Sequence, residues 1–575
     1  MGPLRGRGGN KVAVNTPEKA SFDVIVLGSG AAGLSAAVTA AGHGARVAMI
    51  EKEPVIGGTT AWSGGWIWSP RNGPAKRAGI DEDIDAPRTY LKGVLGNYFD
   101  AKRVDAFLKA APEMVSFFER GTALQFDGGF PIPDTYGHVA GAGTGGRSVI
   151  ARPYDARDLG ADIALLRKPV RETTFLGMTI QAGADLRAFM TMTRSVKSFA
   201  YVTKRTLLHF RDLALYRRGM DLRNGIALVG RLLKSARMAG VDIRTGQTVT
   251  HLNTDGSTIT GVVLSDGTNL SAPSVVLACG GYPQDDTRRA QTFPRNEEHR
   301  TLAVKSANGS GLALAEAVGA HVRTDIARPA AFCPVSTVRW PDGRVAQFPH
   351  IIDRGKPGLI GVLANGQRFC NEGLGYHDYV EALLRVTPEG TPARSWLICD
   401  HRFLRRYGIG VVRPQPLPFK QWIKRGYLKT GRTPEELARA CGIDANGLTQ
   451  TLADWNAGAD RGEDPAFGRG TSPYMRLQGD PEQTPNPNVA PIRKAPFYAV
   501  EVVPGSFGTF AGLATNENAQ VLRADGSVIG GLYAAGTDAA SVFGGFYPAG
   551  GINLGPAMTF GFIAGRHAAQ TGANT

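Results

Sequence analysis

The feature that most constrains the fold is a continuous apolar run, Val24-Ile25-Val26-Leu27, which ends directly in Gly28-Ser29-Gly30-Ala31-Ala32-Gly33. An unbroken aliphatic run of this kind predicts a strand buried on both faces of a parallel sheet. The alanines of Leu34–Ala41 predict a helix, and Ala45–Glu51 a second apolar strand, so the segment reads as one strand–helix–strand unit. In that setting Gly28 permits the tight turn, Gly30 lets the backbone reach a pyrophosphate, and Gly33 allows close helix–strand packing, with Ala32 between them. The helix N-terminus then faces the phosphate charge. Glu51, with Lys52 beside it, falls at about the 20-residue spacing of a ribose-binding acid.

The segment beyond Glu51 points to FAD rather than a nicotinamide. Gly57-Gly58-Thr59-Thr60-Ala61-Trp62-Ser63-Gly64-Gly65 places a second run of small and hydroxyl residues after the acid. Backbone there can cover a diphosphate and ribityl chain, so Gly58, Thr59, Thr60, Ser63, Gly64 and Gly65 are candidate contacts. Gly280-Gly281 and the segment from Gly531 to Asp538 add two more clusters, in which Gly536 and Asp538 could meet the cofactor; Asp538 could bond the ribityl chain or hold a turn. Asn553 and Leu554 open a late helix whose dipole would favour negative charge on the flavin's N1–O2 edge. No His-Thr attachment segment is evident, and non-covalent FAD is expected.

The basic excess, 65 Lys and Arg against 50 Asp and Glu, is concentrated locally. Fifteen cations lie between Arg167 and Arg237, with only Glu172, Asp185, Asp212 and Asp221 opposing them. No nucleic-acid-binding signature accompanies them. Interleaved apolar stretches, Phe199–Val202 and Thr206–Phe210, leave a solvated helical face or a peripheral contact with anionic lipid. The five cysteines are scattered, never in a C-x-x-C pair, which points to neither disulfides nor a metal and to a reducing, cytoplasmic setting, against the membrane's inner face if the lipid reading holds. Glycines and prolines interrupt the uncharged stretches Val24–Gly42 and Phe543–Gly565, so neither predicts a continuous membrane span.

The expected organisation is a flexible leader over 1–21, a first part of the FAD-binding domain over 22–321 with a basic helical insertion at about 160–240, a cap over 322–494, and the rest of the FAD-binding domain over 495–575.

Together these segments resemble the fumarate reductase/succinate dehydrogenase flavoprotein superfamily, and within it most the 3-ketosteroid Δ1-dehydrogenases. The resemblance implies an α/β chain with a Rossmann-like FAD-binding domain of glutathione-reductase type, interrupted by an inserted α+β catalytic cap. In Asn371-Glu372-Gly373-Leu374-Gly375-Tyr376, Tyr376 stands where fumarate reductases carry an arginine acid, and it is implied to be the base. In Tyr547-Pro548-Ala549-Gly550-Gly551, the Tyr547 hydroxyl and the Gly551 N–H are implied to grip a ketone. Pro133-Asp134-Thr135-Tyr136 is similar to the loop that carries an assisting tyrosine, implied here to be Tyr136.

The implied reaction desaturates the bond beside a ketone of a small apolar substrate, with an external acceptor such as a quinone reoxidising the flavin. A free phenol titrates at about 10, so Tyr376 is expected to need a hydrogen bond from Tyr136 and nearby positive charge to work near neutrality. His350, Asp353, Arg354 and His377 are more polar than a steroid pocket requires. Arg354 could pair structurally with Asp353, or with His377 it could clamp the carboxylate of an α,β-unsaturated acid, which is the alternative reading.

Overall fold

A computed structural model describes residues 21–572; the proposed leader lies almost wholly outside them. The chain opens with β1 (Val24–Leu27), α1 (Ala31–Gly42) and β2 (Val47–Glu51). Later come α2 (Val196–Tyr216), α3 (Asn224–Met238), β3 (Asp242–Thr245), β4 (Thr258–Leu264) and β5 (Ser274–Leu277). The cap contributes β6 (Ala330–Arg339), β7 (Leu359–Val362), α4 (Tyr376–Val386), β8 (Ser395–Asp400) and β9 (Phe497–Thr509). The chain then returns through β10 (Val528–Ala534) and α5 (Leu554–Gly572).

The first sheet runs β4-β10-β5-β1-β2-β3, and β1 pairs in parallel with both β2 and β5. All four residues of β1 and of β5 are buried, as a strand covered on both faces requires. Helices α1 and α5 cross closely there: a Cβ on Gly561 would stand 2.4 Å from the Ala32 carbonyl oxygen, and one on Gly565 2.4 Å from that of Ala36. The expected α/β fold with a cap is therefore the observed one.

The second sheet is antiparallel through β6-β9-β8-β7. Its long strand β9 falls in the stretch that the sequence assigns to the FAD-binding domain, yet it hydrogen-bonds along β8 from Phe497 to Val502 and along β6 as far as Thr509. The apolar run at Phe497 looks alike for either sheet, and only pairing assigns it to the cap. Among the described residues no helix is long and apolar enough to cross a membrane.

Candidate active site

The carboxyl ends of β1 and β5 meet where the strand order reverses, the usual place for a ligand in an open parallel sheet. Gly28 has φ +101°, and a Cβ there would lie 2.2 Å from the Ala278 carbonyl oxygen. A Cβ on Gly33 would lie 1.9 Å from the Gly28 carbonyl oxygen. These two glycines serve packing. Gly30 and Gly58 do something else: a Cβ on Gly30 would meet only Thr60 Oγ1, at 3.5 Å, and one on Gly58 only the Gly30 Cα, at 3.9 Å. They floor a side-chain-free cradle at the N-terminus of α1, where Thr60 Oγ1 accepts from the Ala31 N–H at 3.0 Å. Gly64 is equally open, Ser63 Oγ accepts from the Gly65 N–H, and Thr59 Oγ1 accepts from the Val304 N–H. A diphosphate and ribityl chain fit such a lining of amides, hydroxyls and open glycines.

Several candidates brace the cradle more than they face it. Glu51 Oε2 accepts from the Ser29 N–H at 3.0 Å and the Ser29 hydroxyl at 2.6 Å, while Oε1 accepts from the Glu53 N–H. About one of its lone pairs is left for a ribose. Lys52 donates to Asn308 and Ser310. Asp538 uses Oδ2 on the Cys279 N–H and Oδ1 on the Gly281 N–H, at 2.5 and 2.8 Å. Both of its oxygens thus hold the turn through Gly280 and Gly281, the second of the two roles its sequence position allowed. Gly536 has φ +69° and packs against Ala32, where a Cβ would come within 3.0 Å of the alanine methyl.

The phenols meet near the strand that follows the cradle loop, where the Gly551 carbonyl accepts from the Trp68 N–H. Tyr376 is the first residue of α4 and Tyr547 sits in the turn before α5. Their rings cross at 75° with centroids 4.9 Å apart, and Tyr376 donates to the Tyr547 oxygen at 2.7 Å. Asn553, at the start of the late helix, donates its side-chain amide to the same oxygen at 3.0 Å. A phenol accepts two hydrogen bonds and donates one, so Tyr547 keeps its own hydrogen for another acceptor. Gly551 has φ +103°; its carbonyl accepts from Trp68 and Gly555, and among the described residues its N–H bonds to nothing. Leu554 packs against the same core.

Tyr136 takes a different partner from the expected one. Its hydroxyl donates to Asp378 Oδ1 at 2.7 Å rather than to Tyr376. Thr135 donates its N–H to the Pro548 carbonyl, and the Tyr90 hydroxyl links Pro548 to the Tyr136 N–H, so the two tyrosine loops are tied through backbone. Burial pushes the Asp378 carboxyl up to about 6, and its Oδ2 is buried without a partner. Burial also raises the Tyr376 phenol well above its ordinary value, with Tyr547 adding to the effect. The expected lowering by Tyr136 and by positive charge is absent, because the nearby cations are engaged elsewhere.

Arg354 is the clearest case. It is fully buried, and its guanidinium donates to the carbonyls of His350, Glu372 and Leu374. It therefore shapes the loop that ends in Tyr376. Glu372 accepts from Gly361, Arg368 and Arg469, and Arg368 pairs in turn with Asp464. A chain Asp353–His350–Ser336–Tyr427 fixes the other side of the same segment. His377 is buried and held neutral, its pKa lowered to about 3, with Nδ1 receiving the Phe332 N–H. Arg328, a further nearby cation, pairs with Glu381. Sequence reasoning missed Tyr474, a fourth phenol beside Tyr376 and Tyr547 that burial pushes up to about 12; only a Ser-Pro helix start marked its segment.

A parallel nucleotide-binding sheet, an open glycine cradle and an inserted cap define a flavoprotein: residues 23–554 match the family described as FAD binding domain, and the chain belongs to it. It is an FAD-dependent CH–CH dehydrogenase of the fumarate reductase/succinate dehydrogenase flavoprotein superfamily. The chain is 40% identical, over 95% of its length and 94% of the relative's, to a 4-oxocyclohex-2-ene-1-carboxylate 5-dehydrogenase of Sinomonas cyclohexanicum. It is 34% identical, over 96% and 98%, to a 3-oxosteroid 1-dehydrogenase of Mycobacterium tuberculosis. The crystal structure of the 3-ketosteroid Δ1-dehydrogenase of Sterolibacterium denitrificans in complex with 1,4-androstadiene-3,17-dione superposes with a TM-score of 0.88 at 33% identity, covering 96% of this chain and all of that one.

Proposed function

We propose that the protein desaturates the carbon–carbon bond beside the ketone of a cyclic substrate, with a 3-ketosteroid as the substrate class. One observation carries this reading: Tyr376 and Tyr547 share a 2.7 Å hydrogen bond, while Arg354, which reaches the loop before Tyr376, is bound to carbonyls. FAD, when bound, supplies the hydride acceptor. The chain's own groups supply the rest. Tyr547, which accepts from Asn553, donates its hydrogen to the ketone oxygen, and the Gly551 N–H donates beside it as a second oxyanion donor. Both donors favour charge developing on that oxygen as the α-proton leaves. Tyr376 accepts that proton as the phenolate, once its own hydrogen has left to solvent, and its place at the first turn of α4 favours that negative charge. Tyr136 and Asp378 position the loop that faces it.

The surroundings are apolar: Tyr376 stacks edge-on against Phe507, and Tyr547 lies near Phe510 and the neutral His377. Such a lining suits a fused-ring ketone. The identity to the oxocyclohexene-carboxylate enzyme supports a second substrate, a single-ring ketone bearing a carboxylate. A fumarate-type acid is disfavoured, since its clamp would draw on Arg354. The test is anaerobic titration of the oxidised yellow protein with androstenedione, with 4-oxocyclohexanecarboxylate and, after reduction, with fumarate. Bleaching by the steroid is expected; bleaching by the single-ring acid alone would move the substrate class, and reoxidation by fumarate alone would overturn the ketone reading.

A further inference from the structure

Of the two donors assigned to the ketone, Tyr547 is oriented by the side chain of Asn553, whereas Gly551 offers only a backbone N–H. What aims that N–H lies one residue earlier. The Gly550 carbonyl belongs to the same peptide unit as the Gly551 N–H, and across a trans bond the two point in opposite directions. This bond is not among the cis peptides of the chain. Ser148 Oγ donates to the Gly550 carbonyl at 3.0 Å. With the carbonyl held on that side, the N–H faces the other, where it bonds to nothing among the described residues. Gly550 and Gly551 are half-buried, and a Cβ on Gly550 would meet no atom within 4 Å, so the peptide borders open space.

The next peptide is pinned as well. The Gly551 carbonyl accepts from the Trp68 N–H at 3.1 Å and from the Gly555 N–H at 2.8 Å. Trp68 and Ser148 stand directly opposite each other in an antiparallel pair, Trp66–Trp68 against Ser148–Ala151. One short ribbon thus grips the turn on both sides of the Gly551 nitrogen. Trp68 also donates its indole N–H to Asp134, which pairs with Arg147, so the ribbon is itself braced. Ser148 is 2% exposed, in a strand that continues with buried Val149, Ile150 and Ala151. Packing there would be served by alanine, and a buried hydroxyl costs desolvation unless it bonds. Its hydrogen goes to Gly550. A hydrogen bond accepted by a peptide carbonyl also strengthens the N–H of that peptide as a donor. We infer that Ser148 is a positioning residue of the oxyanion site: through the Gly550 carbonyl it aims and polarises the Gly551 N–H toward the ketone oxygen. This rests on the ketone reading and adds to it a residue that acts through the backbone.

The experiment is anaerobic stopped-flow reduction of the FAD-loaded protein by androstenedione, for wild type, Ser148→Ala, Ser148→Cys and Ser148→Thr. Charge grows on the ketone oxygen only as the α-proton leaves, so a misaimed donor costs rate more than binding. Ser148→Ala is expected to lower the limiting rate of flavin reduction by about tenfold, the worth of one ordinary hydrogen bond, while Kd changes by less than about twofold. Ser148→Thr keeps the hydroxyl and should recover most of the rate; Ser148→Cys, a weaker donor of similar size, should fall between. In infrared difference spectra of bound 1,4-androstadiene-3,17-dione, isotopically labelled at the ring-A ketone, that carbonyl stretch should move to higher wavenumber in Ser148→Ala and Ser148→Cys and return in Ser148→Thr. A limiting rate in Ser148→Ala or Ser148→Cys equal to wild type, a loss carried by Kd alone, or a carbonyl stretch that does not move overturns this inference and leaves the ketone reading standing. A wild type that neither androstenedione nor 4-oxocyclohexanecarboxylate bleaches overturns both.

Discussion

The turn around Gly28 and the loop around Tyr376 solve the same problem, holding a functional group still, by opposite means. The first is held by sterics: glycines admit the Gly28 carbonyl onto Gly33, and the Ala278 carbonyl of the adjacent strand onto Gly28, at distances no side chain would tolerate. The second is held at long range: Arg354 is bound to three carbonyls, and Glu372, Arg368, Arg469 and Asp464 form a buried ionic frame whose members are up to about a hundred residues apart in sequence. The glycines of the cradle are visible as short motifs in the sequence, even where the carbonyl packed on one of them comes from another strand. An ionic frame exists only after the cap has closed on itself.

The contrast can be broken at either end. The largest effect is expected from Gly28→Val, which forces a Cβ into the Ala278 carbonyl at a φ of +101°. No yellow holoprotein should be recovered, and stoichiometric FAD in the purified variant would show that sterics do not hold this turn. Tyr376→Phe should keep FAD and lower turnover by about 10²–10⁴. In the wild type, burial keeps the proton on Tyr376, so the active phenolate grows as pH rises. Activity should then climb by about tenfold per pH unit from neutral into the alkaline range; a plateau already reached at pH 7 would contradict the raised pKa.

Glu372→Gln leaves Arg469 and Arg368 short of a buried counter-charge and should destabilise the protein by about 3 kcal/mol in denaturant unfolding. An unchanged midpoint would mean that the frame is dispensable. The smallest effect is expected at Asp378. Its carboxyl is held at about 6 against an ordinary 3.8, so its contribution to stability is present at pH 4 and is lost as pH rises through about 6. Asp378→Asn retains an acceptor for Tyr136 and should raise stability by about 1–2 kcal/mol at pH 8 and leave it unchanged below pH 4. A melting temperature that falls at pH 8 would instead mark the ionised carboxylate as an anchor.

Local chemistry made half of this site legible in advance. Gly28, Gly30 and Gly33 act within one strand–turn–helix, where a glycine's place dictates its geometry. Tyr376 and Tyr547 were legible as residues, through motif resemblance, but their contact was not: 171 positions separate them. Arg354 was open between a structural pair with Asp353 and a substrate clamp because a guanidinium's partner is invisible in sequence, and the fold gave it three carbonyls. Tyr136 looked like a partner for Tyr376, and packing turned it to Asp378.

By itself, then, the sequence determined the parallel sheet, the cradle and the need for a dinucleotide, because apolar runs and glycines act through sterics over a few residues. The tertiary structure alone decided which sheet received Phe497–Thr509, which cations were engaged, and that Ser148 reaches the Gly550 carbonyl. Those outcomes depend on hydrogen bonds and ion pairs between distant segments, and a charge has no assigned partner until the chain brings one within reach.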